Sequence, residues 1–409
     1  MRVKKARTFV ASALVFCLGS VAFISTKLDS VEEPLSITPY KYDRQRVINT
    51  PYKKWNTGTK AEKGQDKNEE FTITFLGDTM VGNMEHNFAA SDTRSIEEAF
   101  SKVKPLLHKD DYVICNLEGP ITSLGRKFDP YHRKPAYSFN MDPLVATTLK
   151  RIGVNAASLA NNHYFDRGSQ GVQETMGSLT EAGIEFFGLG ETVMEAAQPL
   201  IVPTKFKGIN IGIAGFSERY SAGKRAGEDD AQSLGFLLPT PVDARLATDL
   251  LKQKGVTKKV AFVHWGRNYV SSVDDSNLRQ KAQYLVDAGF DMIVGSDGAH
   301  LVQEFDFVSG VPVLYNVGNF VFHTPGRFQS RDDDSNGAKP LPFGTATRLM
   351  VGEDGSFKRM EIHCIAVDNR SVAYIPRPCT PQESRRLFSS MGRHVHNHLG
   401  ANVATIDLE

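Results

Sequence analysis

Polar stretches follow apolar runs at six places along this chain, and they constrain its fold more than any other feature. They read GDTM, NLEG, ANNHYFDRG, HWG, GSDGAH and VGNF. Each begins where a buried parallel strand would emerge into a loop, which is where open α/β sheets build their active sites. The pattern therefore predicts an α/β protein with Asp, Glu, Asn and His side chains gathered at one edge of its sheets.

Predicted strands and helices alternate through the middle of the chain, which implies a largely parallel sheet covered by helices. The strands are predicted over residues 71–76, 112–117, 154–159, 259–263, 292–294 and 311–315, and the helices over 95–107, 143–152, 169–182, 242–254 and 277–288. Residues 200–216 are typical of a hairpin, and residues 345–375 of two or three antiparallel strands. We expect a surface helix and a tail over residues 381–409.

The N-terminal region predicts a membrane-targeting segment. Residues 8–26 carry no charge and follow a basic flank, so they suit either a bilayer span or a long signal peptide. The apolar run continues through Phe23 and Ile24, which favours a single-pass anchor over cleavage and a secreted or periplasmic product. The basic flank would stay in the cytoplasm and the rest would be exported. We expect a cytoplasmic segment 1–7, an anchor or signal peptide 8–26, a stalk 27–69, a main domain 70–325, a polar loop 326–342 and C-terminal strands, helix and tail 343–409.

Charge and cysteine content narrow the possible partners. The formal net charge is +1, so there is no overall basic field to draw the protein onto nucleic acid, and we expect no nucleic-acid partner. The chain has 4 cysteines, too few for a disulfide scaffold, so the fold must depend on its core. Cys364 and Cys379 flank a predicted hairpin and could pair, although spacing alone does not show it.

Two carboxylates stand at predicted strand ends. Asp78 follows the first strand, and Glu118 follows the second. A carboxylate there can bind a metal ion or bridge two ions. The alternatives are a turn or helix N-cap for Asp78 and a salt-bridged loop residue for Glu118. Asn116 precedes Glu118 by one strand period, points to the same face and would orient it.

The stretch ANNH brings two amides and an imidazole together. Buried amides need hydrogen bonds or a ligand, so Asn161 and Asn162 indicate a polar site. An Asn oxygen can complete a metal shell while His163 serves as a general acid. Asp166 stands where a supporting carboxylate would be useful. An Asn-rich turn is the alternative.

Histidines follow two further strands. His264 ends an apolar strand, where the alternative is a core histidine, and His300 lies in a loop of small residues. Neutral imidazoles are the usual partners of carboxylates at Zn, Mn or Fe centres. Asn319 lies beyond the strand that ends at Tyr315 and could support the site.

Cations near these loops could hold an anionic substrate group. The candidates are Lys134 and Arg167, with Arg126 close by in sequence, and ordinary surface charge is the alternative. A tail motif of three alternate histidines, from His394 to His398, is similar to a metal-binding tract. We expect it to have no functional role.

The six stretches, in this order between residues 71 and 322, resemble the capsule-synthesis CapA family of poly-γ-glutamate biosynthesis. That family is similar to calcineurin-type metallophosphoesterases. The resemblance implies a sandwich of two mixed sheets flanked by helices, with a two-metal centre at the strand ends. It also implies these roles: Asp78 and His300 on one ion, Glu118 bridging, Asn162 and His264 on the other ion, and His163 as the catalytic acid.

The loop before His300 departs from the family pattern. The family reads GHHPH, whereas this chain reads GSDGAH, with one extra residue and both earlier histidines absent. Asp297 could substitute as an oxygen ligand. A one-metal centre and an inactive centre therefore stay open, and so does the choice among Mn, Fe and Zn.

Three functional hypotheses follow. The preferred one is a membrane-anchored component of capsular polymer assembly or export, the polymer being anionic poly-γ-glutamate and the partners other capsule-synthesis proteins. As an enzyme it would use a metal-activated water on a phosphoester or an amide. The second is a hydrolase of cell-envelope phosphoesters or amides with no role in capsule export. The third is a non-catalytic scaffold.

Overall fold

The computed structural model describes residues 70–82, 96–107, 112–130, 138–218, 224–225, 235–274, 277–323, 340–397 and 402–409. Its helices are α1 Ile96–Phe100, α2 Leu144–Ile152, α3 Gly168–Ala182, α4 Val193–Ala196, α5 Pro241–Gln253, α6 Leu278–Ala288 and α7 Pro381–Phe388. Its strands are β1 Phe71–Met80, β2 Tyr112–Leu117, β3 Ala156–Ser158, β4 Glu185–Phe187, β5 Leu200–Pro203, β6 Asn210–Ser217, β7 Lys224–Arg225, β8 Gly235–Phe236, β9 Lys258–Trp265, β10 Met292–Gly298, β11 Phe305–Val308, β12 Val311–Leu314, β13 Asn319–Phe322, β14 Phe343–Val351, β15 Phe357–Ala366, β16 Arg377–Pro378, β17 His396–Asn397 and β18 Val403–Asp407.

Two mixed sheets contain most of the described strands. The first has the order β17-β18-β15-β14-β1-β2-β3-β4, with β13 also paired to β1 and β16 to β15. In it β1, β2, β3 and β4 run parallel, whereas β14, β15 and β18 are antiparallel to their neighbours. The second has the order β11-β12-β10-β9-β6-β5, with a parallel centre and an antiparallel pair at each edge. The resemblance predicts this pair of mixed sheets.

Alternation along the central strands shows that the sheets pack face to face. On β2, Ile114 belongs to the core shared with β9, whereas Cys115 faces the helices, as a side-chain period of two requires. On β9, Phe262 faces the first sheet, and its ring centroid lies 5.5 Å from that of Phe75 on β1. The next inward positions, Asn116 on β2 and His264 on β9, therefore point into the space between the sheets.

Helices cover the outer face of each sheet. Leu149 of α2 and Leu179 of α3 pack with the outward side chains of β2. Leu251 of α5 and Leu285 of α6 pack in the same way with the outward side chains of β9. The fold therefore has four layers, in the order helices, first sheet, second sheet, helices.

Most predicted elements are present, and two differ. The helix predicted over residues 95–107 ends at Phe100 and continues as a 3₁₀ turn over Lys104–Leu106, since Pro105 offers no N–H to a longer helix. The sequence predicts a tail after α7, whereas Val403–Asp407 form β18 beside β15. Ala404 and Ile406 are buried there, but two alternate apolar residues are too few to signal a strand.

Cys364 and Cys379 form a disulfide bond with a Cα–Cα distance of 5.4 Å. Both lie in the core between the sheets, beside Leu387 and Phe388 of α7.

None of the helices in the described ranges is long and apolar enough to cross a bilayer. The predicted anchor over residues 8–26 and the predicted stalk lie outside those ranges.

Candidate metal centre

The carboxyl ends of strands from both sheets meet at one edge. Asp78 pairs in register with Asn116 on β2 and with Asn319 on β13, so β1 presents its carboxylate between two amides. His264 closes the same edge from the second sheet, at the end of β9. All four side chains are buried, so the polar stretches read from the sequence converge in space.

Gly77 permits this convergence. The register of β1 against β2 shifts between Leu76 and Asp78, which marks a bulge. A Cβ on Gly77 would lie 1.5 Å from the carbonyl oxygen of Gly318, which is far shorter than any contact between non-bonded atoms. Glycine therefore lets the chain entering β13 press against the bulge that turns Asp78 into the site.

Asp78, Glu118 and His300 form a three-ligand set. One ligand atom from each lies within 4.8 Å of the other two, and all three residues are buried. Oε2 of Glu118 accepts no hydrogen bond from the described residues although it is buried. Burial raises the pKa of Glu118 well above its usual range, and the negative charge of Asp78 raises it further, while His264 and His163 oppose both effects. Two buried carboxylates held this close together form an arrangement that a cation would stabilise.

His300 reaches this set from a strained backbone. Its φ of 59° lies in the left-handed region that few residues other than glycine adopt. Nδ1 lies 3.1 Å from Oδ1 of Asn319 and 3.6 Å from Oδ2 of Asp78. The rings of Tyr269 and Phe322 pack against the imidazole, with centroid distances of 5.4 and 4.9 Å. Strain held in place by packing is typical of functional sites.

His163 faces the same set from the loop after β3. Its Nδ1 lies 2.8 Å from Oδ2 of Asp166, and because a carboxylate only accepts, Nδ1 carries the hydrogen. Nε2 then points toward Oε1 of Glu118, 3.8 Å away. The ring of Phe139 stacks on the imidazole with centroids 3.8 Å apart. The backbone N–H of Phe139 donates to the same oxygen of Asp166.

His264 turns its two nitrogens to different partners. Nδ1 lies 3.2 Å from Nδ2 of Asn116 and 3.6 Å from Oδ1 of Asp78. Nε2 lies 2.8 Å from Oδ1 of Asn162 and 4.0 Å from Oε1 of Glu118. The structure thus brings His264 and Asn162 together beside the three-ligand set.

Comparison with known proteins identifies the family. Residues 72–324 match the family described as "Bacterial capsule synthesis protein PGA_cap", which is more than half of the chain. The chain belongs to the PGA_cap family. All of the residues that form the site lie within the matched range.

Two curated relatives of this PGA_cap protein come from Bacillus. The capsule biosynthesis protein CapA of Bacillus anthracis is 29% identical over 259 residues, which are 63% of this chain and 61% of the relative. The PGA biosynthesis protein CapA of Bacillus subtilis is 26% identical over 253 residues, 61% of this chain and 63% of the relative. The chain thus spans less than two thirds of either relative.

Among solved structures, the calcineurin-like phosphoesterase YfkN from Bacillus subtilis is similar at 14% sequence identity and a TM-score of 0.42. The similarity covers 71% of this chain and 87% of that one.

The donor set of the PGA_cap protein fits a divalent ion. Carboxylates with a neutral imidazole suit Mn²⁺, Fe²⁺ or Zn²⁺, and the buried Glu118 oxygen without a donor is a position that an ion would satisfy. Asp78, Glu118 and His300 are the side chains that would hold it.

The predicted cations have different outcomes. Arg167 is 2% exposed, and its guanidinium donates to the carbonyls of Leu124 and Asp166 and to the hydroxyl of Ser138. These contacts hold the loop that carries Asp166, and contact with a substrate stays a prediction. Lys134 and the side chains of Arg126 and Asp297 are not among those the structure describes.

Glu218 and Phe139 belong to the site but were not predicted. Glu218 accepts a hydrogen bond of 2.6 Å from the N–H of Gly266, pairs with Lys281, and donates its own N–H to the carbonyl of His264. Its signal was present, because Glu218 follows β6 as Glu118 follows β2. Phe139 had no such signal.

Of the tail histidines, His394 lies 3.8 Å from Asp306 and His396 is exposed, while His398 is not described.

Proposed function

We propose that this protein is a cell-envelope component of capsular polymer biosynthesis or export, the polymer being anionic poly-γ-glutamate, and that a divalent ion bound by Asp78, Glu118 and His300 is central to its work. The observation that carries the proposal is the convergence of these three buried ligands in a chain of the PGA_cap family. The names of the Bacillus relatives support the choice of polymer.

The chemistry proposed for the site is hydrolytic. A divalent ion held by Asp78, Glu118 and His300 would supply an activated water for attack on an amide or a phosphoester. His163 is the proposed acid: its ring in the protonated form would give a hydrogen from Nε2, which is directed into the site, while Asp166 accepts from Nδ1 and holds the ring. Asp166 holds that ring in position, and Arg167 holds Asp166. Lys134 is proposed to contact an anionic substrate group.

The proposed location is outside the cytoplasm, with residues 8–26 as the membrane anchor. The disulfide between Cys364 and Cys379 supports this, because such bonds persist in oxidising compartments. Other capsule-synthesis proteins and the polymer itself are the proposed partners.

A second candidate function is hydrolysis of envelope phosphoesters or amides with no role in capsule export. The His163–Asp166 pair supports this candidate as it supports the first, because any hydrolysis at the site would use an oriented acid and a scaffold would not. The two candidates share the site and differ in what a cell loses without it.

Gene replacement in the encoding bacterium tests the proposal. Surface polymer is measured in a deletion strain carrying the wild type, Asp78→Asn, or the control His396→Gln, with membrane amounts of each protein matched by immunoblot. We expect polymer with the wild type and the control, and about a tenfold or greater loss with Asp78→Asn. Full polymer with Asp78→Asn would point to a scaffold, and full polymer in the deletion strain would point to the unrelated hydrolase.

A further inference from the structure

A continuous set of hydrogen bonds links the two sheets behind the three-ligand set. It runs from Asn161 through Asn116 to His264 and ends at Asn162, and we call these four residues the amide chain. Each of its members is at most 9% exposed, so protein partners decide the orientation of every group.

The orientation of Asn161 is set by the backbone. Its Nδ2 lies 2.8 Å from the carbonyl oxygen of Leu117, and its Oδ1 lies 3.0 Å from the backbone nitrogen of His163. A carbonyl only accepts and a backbone N–H only donates, so the Asn161 amide has one orientation. Its Nδ2 is therefore a donor toward Oδ1 of Asn116, 3.2 Å away.

The orientation of Asn116 follows. Its Oδ1 accepts from Asn161, so its Nδ2 faces Oδ1 of Asp78 at 2.6 Å and Nδ1 of His264 at 3.2 Å. The flipped amide would place an oxygen 2.6 Å from a carboxylate oxygen, which is repulsive. The two hydrogens of Nδ2 therefore go to Asp78 and His264, one on each sheet.

His264 is left with one tautomer. Because Nδ1 accepts from Asn116, the hydrogen of the neutral ring is on Nε2 and is donated to Oδ1 of Asn162, 2.8 Å away. A nitrogen that carries a hydrogen has no lone pair for a metal. By the same rule, a hydrogen donated from Nδ1 of His300 to Oδ1 of Asn319, 3.1 Å away, would leave Nε2 of that ring for the ion. The amide chain thus conflicts with the expectation that His264 and Asn162 bind a second ion, because their facing atoms, Nε2 and Oδ1, are hydrogen-bonded to each other.

We propose that the centre holds a single divalent ion, bound by Asp78, Glu118 and His300, and that Asn116 is the positioning residue that keeps His264 and Asn162 hydrogen-bonded to each other. The inference rests on the proposed function, because it requires that an ion is bound. Asn116 also donates to the ligand Asp78, so it orients one ligand and excludes another residue from coordination.

Asn116→Asp is the variant that tests this role. The new carboxylate replaces the donor beside Nδ1 of His264 with an acceptor, which favours hydrogen on Nδ1 and frees the lone pair of Nε2. It also adds a negative charge next to Asp78. Asn155→Asp is the matched control, since Asn155 accepts from the N–H of Val113 through Oδ1, an atom that the change keeps.

The measurement is the number of Mn²⁺ ions per full-length chain after equilibrium dialysis, with the electron paramagnetic resonance spectrum of the bound Mn²⁺. We expect one ion and an isolated six-line spectrum for the wild type and Asn155→Asp. For Asn116→Asp we expect two ions and an exchange-coupled spectrum.

Other counts would overturn specific claims. Two ions in the wild type would overturn the single-ion centre but leave the proposed function intact, whereas no bound ion would overturn the metal site of the proposed function itself. One ion in both proteins would overturn the role of Asn116.

A second measurement applies if Asn116→Asp does not fold. It is the ¹⁵N spectrum of the metal-free wild type, in which the His264 signals are assigned by comparison with His264→Gln. We expect the hydrogen on Nε2 of His264, and a hydrogen on Nδ1 would overturn the inference.

Discussion

Asp166 accepts two hydrogen bonds on one oxygen, from Nδ1 of His163 at 2.8 Å and from the N–H of Phe139 at 2.6 Å. Asp166 orients His163, the proposed acid. Phe139 holds Asp166 through its backbone N–H, and its ring also stacks on the imidazole of His163. The loop before residue 141 and the loop after β3 are joined at this oxygen, so the direction of His163 depends on both.

Asp166→Asn tests this arrangement. An amide oxygen could still accept both hydrogen bonds, but the substitution removes the negative charge that faces Nδ1 of His163 in the protonated ring that a proton donor requires. We expect hydrolysis of a γ-glutamyl oligomer or an aryl phosphate to fall about 10²-fold or more, as in His163→Ala. The double variant should be no worse than either single one, because the two residues act as a unit. Asp291→Asn, remote from the site, should retain full rate, and bound metal should be unchanged throughout. A normal rate in Asp166→Asn would contradict the role of the pair.

Gly77→Ala tests the close approach behind Asp78. The added Cβ would overlap the Gly318 carbonyl, so the bulge must move. We expect the free energy of unfolding in urea to fall by about 3 kcal/mol or more, with metal affinity reduced in any folded fraction. Gly177→Ala in α3 is the control, because its Cβ would meet nothing within 4 Å, and it should stabilise the protein by about 0.5–1 kcal/mol. Equal effects of the two changes would contradict the packing described.

Glu383→Gln tests a pH-dependent cap on α7. Glu383 completes a capping box with Thr380, and the hydrogen bonds from Arg377 are the largest of the effects that lower its pKa from 4.5 to about 2. A carboxylate with a lowered folded pKa contributes stability above its unfolded pKa and loses it as the pH falls toward the folded value. We expect the variant to be about 1 kcal/mol less stable at neutral pH.

That difference should shrink as the pH falls from about 4.5 toward about 2. Urea unfolding of both proteins across this range measures it. Glu97→Gln is the control, since its pair with Arg151 is exposed and is expected to contribute less than about 0.5 kcal/mol. A difference that stays constant with pH would contradict the cap.

Removing the disulfide should destabilise the protein. The bond closes a loop with a sequence separation of 15, for which loop entropy alone is about 3 kcal/mol. We expect the Cys364→Ala and Cys379→Ala double variant to unfold at a lower urea concentration than the wild type. The wild type should unfold at that lower concentration only after its disulfide has been reduced. Alkylation followed by mass measurement should find both thiols blocked in protein isolated from the envelope. Two free thiols in that protein would contradict the proposed location.

The sequence was sufficient for features that depend on local pattern. The period-two alternation of β2 and β9 places Asn116 and His264 on inward faces, and the strand ends predict which polar residues meet. Spacing could not reveal contacts that depend on long-range packing. Phe139 contacts His163 from a separate loop, β13 pairs with β1 although more than 200 residues separate them in the chain, and the bulge at Gly77 depends on Gly318.

The resemblance and the single-ion proposal differ at two residues. The resemblance implies that His264 and Asn162 bind an ion, whereas the proposal depends on the tautomer of His264, which the amide of Asn116 on the facing sheet determines. Hydrogen-bond direction is a property of a network, and no motif records it.

The account depends most on the claim that Asp78, Glu118 and His300 bind a divalent ion. Calorimetric titration of the metal-free full-length chain with Mn²⁺ tests it, using Asp78→Asn and His300→Gln against the control His396→Gln. We predict one ion per chain for the wild type and the control, and dissociation constants raised about 100-fold or more in both ligand variants. Unchanged affinity in His300→Gln, or binding lost in His396→Gln instead, would contradict it.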